Sequence, residues 1–216
     1  MIDKLSTPSP TEPSPTENEI SSSSFDNKID IQRETNEDKL TSKESYNPDE
    51  RIDPNESGEY YSSYEERINL AKNTDGEWQG DIGESKVIPN DSKIKELLKS
   101  FGVDGIEYKN GIPDFSPISV AIVKIPDMTE IRPKNFRQAD KACANQWNKE
   151  AKDGKTDWTR ADVENWRKEN GYSWHEHNDM RTMYLVKSEI HLECKHLGGV
   201  SECKKYNGTM EDIFDE

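Results

Sequence analysis

The stretch that most restricts how this chain can fold is its first quarter. Residues 1–59 are built from Ser, Thr, Pro, Glu, Asp and Asn, with isolated apolar positions such as Ile20 and Phe25 that follow no period. Such a composition buries too little apolar surface to offset the entropy lost on ordering. The sequence therefore predicts a disordered acidic linker over 1–59, one folded domain over 60–207 and a short acidic tail over 208–216. A tether is the simplest role for the linker, and a partner-binding or delivery segment is the alternative. Charge follows the same division. The formal net charge is −15, and residues 1–100 alone hold 23 acidic against 12 basic side chains, whereas residues 132–205 carry a small basic excess. The acidic pI thus speaks against nucleic acid as a partner of the whole chain, but not of its C-terminal half.

Within the domain, SKIKELLKSFG places Ile94, Leu97, Leu98 and Phe101 at helical spacing, with Ser92 as the N-cap and Gly102 as the stop. ISVAIVKI reads as a buried strand through Ile118, Val120, Ile122, Val123 and Ile125, closed by Pro126. In KNFRQADKACANQWNKEAKD the set Phe136, Ala139, Cys143, Trp147 and Ala151 recurs in steps of three and four, as in a helix with one buried face. Thr159 and Asp162 form a capping box for a second helix that buries Val163 and Trp166 and ends at Asn170-Gly171. Tyr172–His177 and Met180–Val186 flank Asn178-Asp179 as a hairpin. Ser188 is placed to cap a short helix through Leu192, with Gly198-Gly199 as its end. The fold class expected is α+β: a helical scaffold with a small sheet that carries a C-terminal strand, strand, helix unit.

That unit contains all four histidines of the chain, His175, His177, His191 and His196, within 22 residues. Neutral imidazole is the commonest side-chain metal ligand and a general base near neutral pH, so the cluster, flanked by Glu176 and Asp179, points to a hydrolytic metal site. Alternation along a strand puts His175 and His177 on one face and Glu176 on the other unless a bulge intervenes. A closed structural zinc site made by the four histidines is the inert alternative. A non-enzymatic adaptor acting through the acidic tail is a third, and it leaves the histidines unused. Cys143, Cys194 and Cys203 are odd in number and lack CxxC spacing, so they read as packing residues or free thiols rather than a disulfide framework. No apolar run of membrane-spanning length and no apolar segment of a cleavable signal is present.

The string WHEH, then MYLVKSEIH, then HLGG resembles the HNH, or ββα-metal, nucleases of bacterial polymorphic toxins, which are related to the DNase domains of colicin-like bacteriocins. EWQGDIGES, GIEYKNGIPDFSP and NFRQAD add to the resemblance, which extends over roughly residues 65–205. It implies a ββα-metal finger in which His175, His191 and His196 bind one divalent ion (Zn, Mg, Ni or Mn). Glu176 then stands in the slot of the general base, normally a histidine. A role of Glu176 as ligand, with His175 or His177 as base, is the alternative. Arg181, Lys187 and Lys195, with Arg132, Lys134 and Arg137 upstream, are candidates to hold neighbouring phosphates. The resemblance further implies a monomeric endonuclease acting on DNA with little sequence preference. It implies delivery into target cells by a non-classical route and a cognate immunity protein in the producer. An RNase or tRNase of the same fold, and an intracellular restriction or recombination nuclease, are the alternatives.

Overall fold

The computed structural model describes residues 60–214, and the linker expected over 1–59 lies outside them. Among the described residues, six α-helices and two antiparallel sheets form the α+β arrangement anticipated from sequence. The Ser63–Glu66 capping box starts α1 (Tyr64–Ala71). Strands β1 (Gly76–Trp78), β2 (Lys86–Pro89), β3 (Ile106–Lys109) and β4 (Ile112–Pro113) pair in chain order, with α2 (Ser92–Ser100) between β2 and β3. The second sheet has the order β5-β7-β6, from β5 (Ala121–Lys124), β6 (Tyr172–Glu176) and β7 (Thr182–Lys187). Helices α3 (Arg132–Glu150) and α4 (Arg160–Glu169) separate β5 from β6, while α5 (Ser188–Glu193) and α6 (Gly199–Phe214) follow β7.

Period-two alternation explains how the three-stranded sheet divides the core. Trp174 sits opposite Leu185, His175 opposite Tyr184 and Glu176 opposite Met183. Successive side chains leave opposite faces, so Trp174, Met183 and Leu185 join Val123, Ala139, Cys143, Trp147 and Val163 beneath α3 and α4. Val186, with Tyr184 packed beside it, joins Leu98, Ile106, Phe115 and Ile190 on the other face. The histidine strand is thereby held between two separate apolar clusters. Each large side chain removed from water there contributes roughly 1.5–3 kcal/mol. All three cysteines are buried and none is in a disulfide among the described residues, in keeping with packing residues.

Two buried polar networks fasten the layers. Asp140 of α3 receives Arg167 Nε at 2.9 Å and Trp174 Nε1 at 2.7 Å on one oxygen, and a second Arg167 nitrogen at 3.1 Å on the other. Glu202 of α6 accepts from Ser62 N at 2.9 Å, Ser62 Oγ at 2.5 Å and Asn178 Nδ2 at 2.9 Å. Charged groups are tolerated in a core only when bonded in this way.

Several local expectations need correction. Asp91, not Ser92, caps α2, its carboxylate accepting from Lys93 N and Ile94 N, because an anion there meets the positive helix end as well as the free N–H groups. Only Ala121–Lys124 of ISVAIVKI is a strand; Ser116–Ile118 is a 3-10 turn. As an edge strand it buries one face, leaving Ile122 43% exposed. Ala151 leaves the buried stripe because it is the left-handed C-cap of α3, with φ 49°. The hairpin turn is wider than Asn178-Asp179, and its positive φ falls on Met180 at 55°. Asp179 instead accepts from Arg181 N and Thr182 N. Ser188 caps nothing, since Lys187 holds that position without a side-chain bond. Gly199 opens α6, and α6 continues through residues taken as acidic tail. The Gly198-Gly199 pair is required by close packing: a Cβ on Gly199 would come within 2.4 Å of the His177 carbonyl, and one on Gly198 within 2.9 Å of that of Glu176.

Candidate metal centre

Three elements deliver three imidazoles to one point. β6 presents His175 on the face shared with Tyr184, α5 carries His191, and the segment between α5 and α6 carries His196. His175 Nδ1 lies 3.2 Å from His191 Nε2 and 3.1 Å from His196 Nε2. These three residues alone among the described ones form a cluster of potential metal ligands, their ligand atoms all within 4.8 Å of one another. Phe115 forms an apolar floor, its ring centroid 4.8 Å from that of His175 and 5.6 Å from those of His191 and His196.

The donor chemistry fits a divalent cation. His196 Nδ1 faces the Cys194 carbonyl at 2.7 Å, and a carbonyl only accepts, so Nδ1 carries the proton and Nε2 presents a lone pair to the cluster. Burial holds the three rings neutral, with His191 lowered to about 3, His196 to about 4 and His175 well below the ordinary histidine value. The Arg132 charge lowers each further. Neutral imidazoles are the ligand form. Zn–N bonds of about 2.0–2.1 Å at tetrahedral angles set ligand nitrogens about 3.3 Å apart, close to the two separations found here. His177 does not join the cluster, so the four-histidine knot is not formed. Three imidazoles would leave coordination positions on such a cation for other donors.

The alternation expected along β6 is retained. Glu176 turns toward α3, where Arg132 Nε stands 3.4 Å from its Oε1. That oxygen is buried and has no hydrogen bond. Burial raises the carboxyl above its usual range, against the opposing pull of Arg132 and Asn135. Arg132 itself is largely exposed, so one guanidinium links the base candidate to solvent, and its charge is felt at the histidine cluster. His177, just past β6, lies on the His175 side, with ring centroids 6.3 Å apart and Tyr184 5.5 Å away. Burial lowers its pKa, opposed by Asp179 and Asp114. On that side lies a cleft whose lining includes Glu84, Glu107, Lys109, Asp114, His177 and Tyr184, three carboxylates against one ammonium.

The basic candidates are dispersed. Arg132 is beside Glu176. Lys195 adjoins His196 in the chain and reaches back to the Leu192 carbonyl. Lys134 pairs with Asp127. Lys187 stands at the far end of the hairpin, bonded to the Asn170 carbonyl and over the Tyr172 ring. Arg137 on α3 is exposed, and Arg181 in the hairpin turn is half-buried. Sequence reasoning missed Phe115, Tyr184 and Asn135, none of which has ligand or base chemistry of its own. The only available signal for Phe115 was its place in the GIPDFSP phrase.

No helix among the described residues is long and apolar enough to cross a membrane. No curated protein sequence matches the chain. Residues 105–198, a span that includes Phe115, Arg132, Asp140, Glu176 and all three clustered imidazoles, match the family described as the DNase/tRNase domain of colicin-like bacteriocin. That similarity, falling on the segment that builds the centre, supports a nuclease toxin domain, a hydrolase of nucleic-acid phosphodiester bonds.

Proposed function

We propose that the domain is a metal-dependent endonuclease of the HNH type that cleaves DNA with little sequence preference and serves as an antibacterial effector. The observation that carries this reading is the convergence of three neutral imidazole nitrogens beside a buried carboxylate and an exposed arginine. His175, His191 and His196 would hold one divalent cation. When bound, it supplies Lewis acidity to the scissile phosphate and stabilises charge on the leaving 3′ oxygen. Glu176 takes a proton from the attacking water as the new O–P bond forms and the P–O3′ bond breaks. Its burial makes it a stronger base than an exposed carboxylate. Arg132 pairs with a phosphate oxygen on the solvent side. The acidic lining of the cleft beside His177 disfavours approach of a polyanion there, which leaves the Arg132 side as the entry. Contacts limited to phosphate carry no sequence information. Delivery into a competing cell and a cognate immunity protein belong to this proposal through the family likeness alone.

A second reading, with His177 as the base, draws on its place on the histidine face of β6. Plasmid DNA and total RNA incubated with the protein under Mg, Mn, Ni or Zn, with and without chelator, test the activity; both substrates surviving intact under all four ions would refute it. For the base, Glu176→Gln is expected to lower turnover about 10²–10⁴-fold with metal content unchanged, and His177→Ala much less. The reverse order would assign the proton to His177.

A further inference from the structure

We infer that Thr74, outside the family-matched segment, is a positioning residue for the metal ligand His196, acting through a single peptide plane; the inference rests on the metal-site reading above. Thr74 lies in the turn between α1 and β1 and is only 5% exposed. Its Oγ1 accepts a hydrogen bond from Lys195 N at 2.9 Å across 121 residues of chain. Lys195 N–H belongs to the same peptide unit as the Cys194 carbonyl, and that carbonyl is the one His196 Nδ1 faces at 2.7 Å. In a planar trans peptide the N–H and C=O point in opposite directions. Holding the N–H therefore fixes the direction of the carbonyl, and the carbonyl fixes both the tautomer and the aim of the imidazole.

Tyr108 of β3 completes the hold. Its hydroxyl lies 3.2 Å from Thr74 Oγ1 and 3.5 Å from the Lys195 carbonyl. With Oγ1 accepting from Lys195 N, the Thr74 proton is free to go to Tyr108 Oη, and the tyrosine proton toward the Lys195 carbonyl. Both main-chain groups of Lys195 are then gripped by the four-stranded sheet and its leading turn. The segment between α5 and α6 has no regular structure of its own at residues 195–198, so the bond from Thr74 substitutes for a helix or strand as the support of His196. The four-stranded sheet thereby gains a part in the metal centre to which it contributes no ligand.

The test is metal binding by the full chain, independent of catalysis. Zn²⁺ affinity is measured by competition with a chromophoric chelator, and ligand geometry by the visible absorption of the Co²⁺-loaded protein. Thr74→Val, which keeps the shape and removes the acceptor, is expected to weaken Zn²⁺ binding about 10–100-fold and to alter the Co²⁺ spectrum, while Thr74→Ser restores both. If Thr74→Val does not fold, Tyr108→Phe is read in its place, with a smaller loss of affinity expected. Wild-type affinity and an unchanged Co²⁺ spectrum in the folded variant would overturn the role of Thr74 and leave the metal site standing. Absence of Zn²⁺ and Co²⁺ binding by the unaltered protein would overturn both.

Discussion

His191→Ala is expected to lower nuclease activity by about 10³-fold or more, and to do so at every concentration of the cation that full occupancy of the unaltered site requires. Two terms combine. The first is loss of one of the three imidazoles proposed to hold the ion, which weakens its retention. The second is that any ion still bound has lost the geometry set by the 3.1–3.2 Å nitrogen separations, and transition-state stabilisation depends on that fixed placement. α5 is short and His191 is only partly buried on it, so the fold is expected to tolerate the change. Plasmid cleavage and bound-metal analysis on the same sample check the result. A folded His191→Ala protein with activity within tenfold of the original would refute a catalytic role for the cluster.

The largest expected effect on stability is at Asp140. Its carboxylate is 1% exposed and takes two bonds from Arg167 and one from the Trp174 indole. Asp140→Ala leaves a guanidinium uncompensated in an apolar layer and an indole N–H without an acceptor. Removing one partner of a buried ion pair costs about 3–5 kcal/mol, which lowers Tm on the order of 10 °C for a domain of this size. Denaturant melts at constant pH measure it. The paired change Asp140→Leu with Arg167→Met should cost less than Asp140→Leu alone, since it removes the stranded charge along with its partner. A loss below about 1 kcal/mol for Asp140→Ala would mean that α3, α4 and β6 are fastened by packing alone.

How far the sequence foretold the molecule depends on whether the signal was local. The α3 stripe at Ala139, Cys143 and Trp147, the Thr159–Asp162 box and the left-handed Gly171 were legible, because each rests on contacts within one helix or turn. The histidines could be grouped from spacing and chemistry, and the side chains of His175, His191 and His196 do come together. The aim of His196 was not legible, since Thr74 and Tyr108 reach it across 121 and 87 residues of chain. α6 was missed for a related reason. Its glycine pair reads as a stop, whereas what demands glycine is the close passage of the β6 end, a contact formed only in the tertiary fold. Asp140 and Arg167 carry no local mark that sets them apart from other charged helix positions, and it is packing of α4 against α3 that turns them inward.

The Glu202 network has a mechanical corollary. Ser62 hangs on Glu202, Tyr61 rests against Tyr206 with centroids 5.3 Å apart, and Lys205 bonds Glu66. Traction on the backbone ahead of Tyr60 would thus be borne by α6 at once rather than dissipated in a frayed end. Glu202 also holds Asn178 beside His177, so a load applied at Ser62 would reach the turn that closes the histidine hairpin.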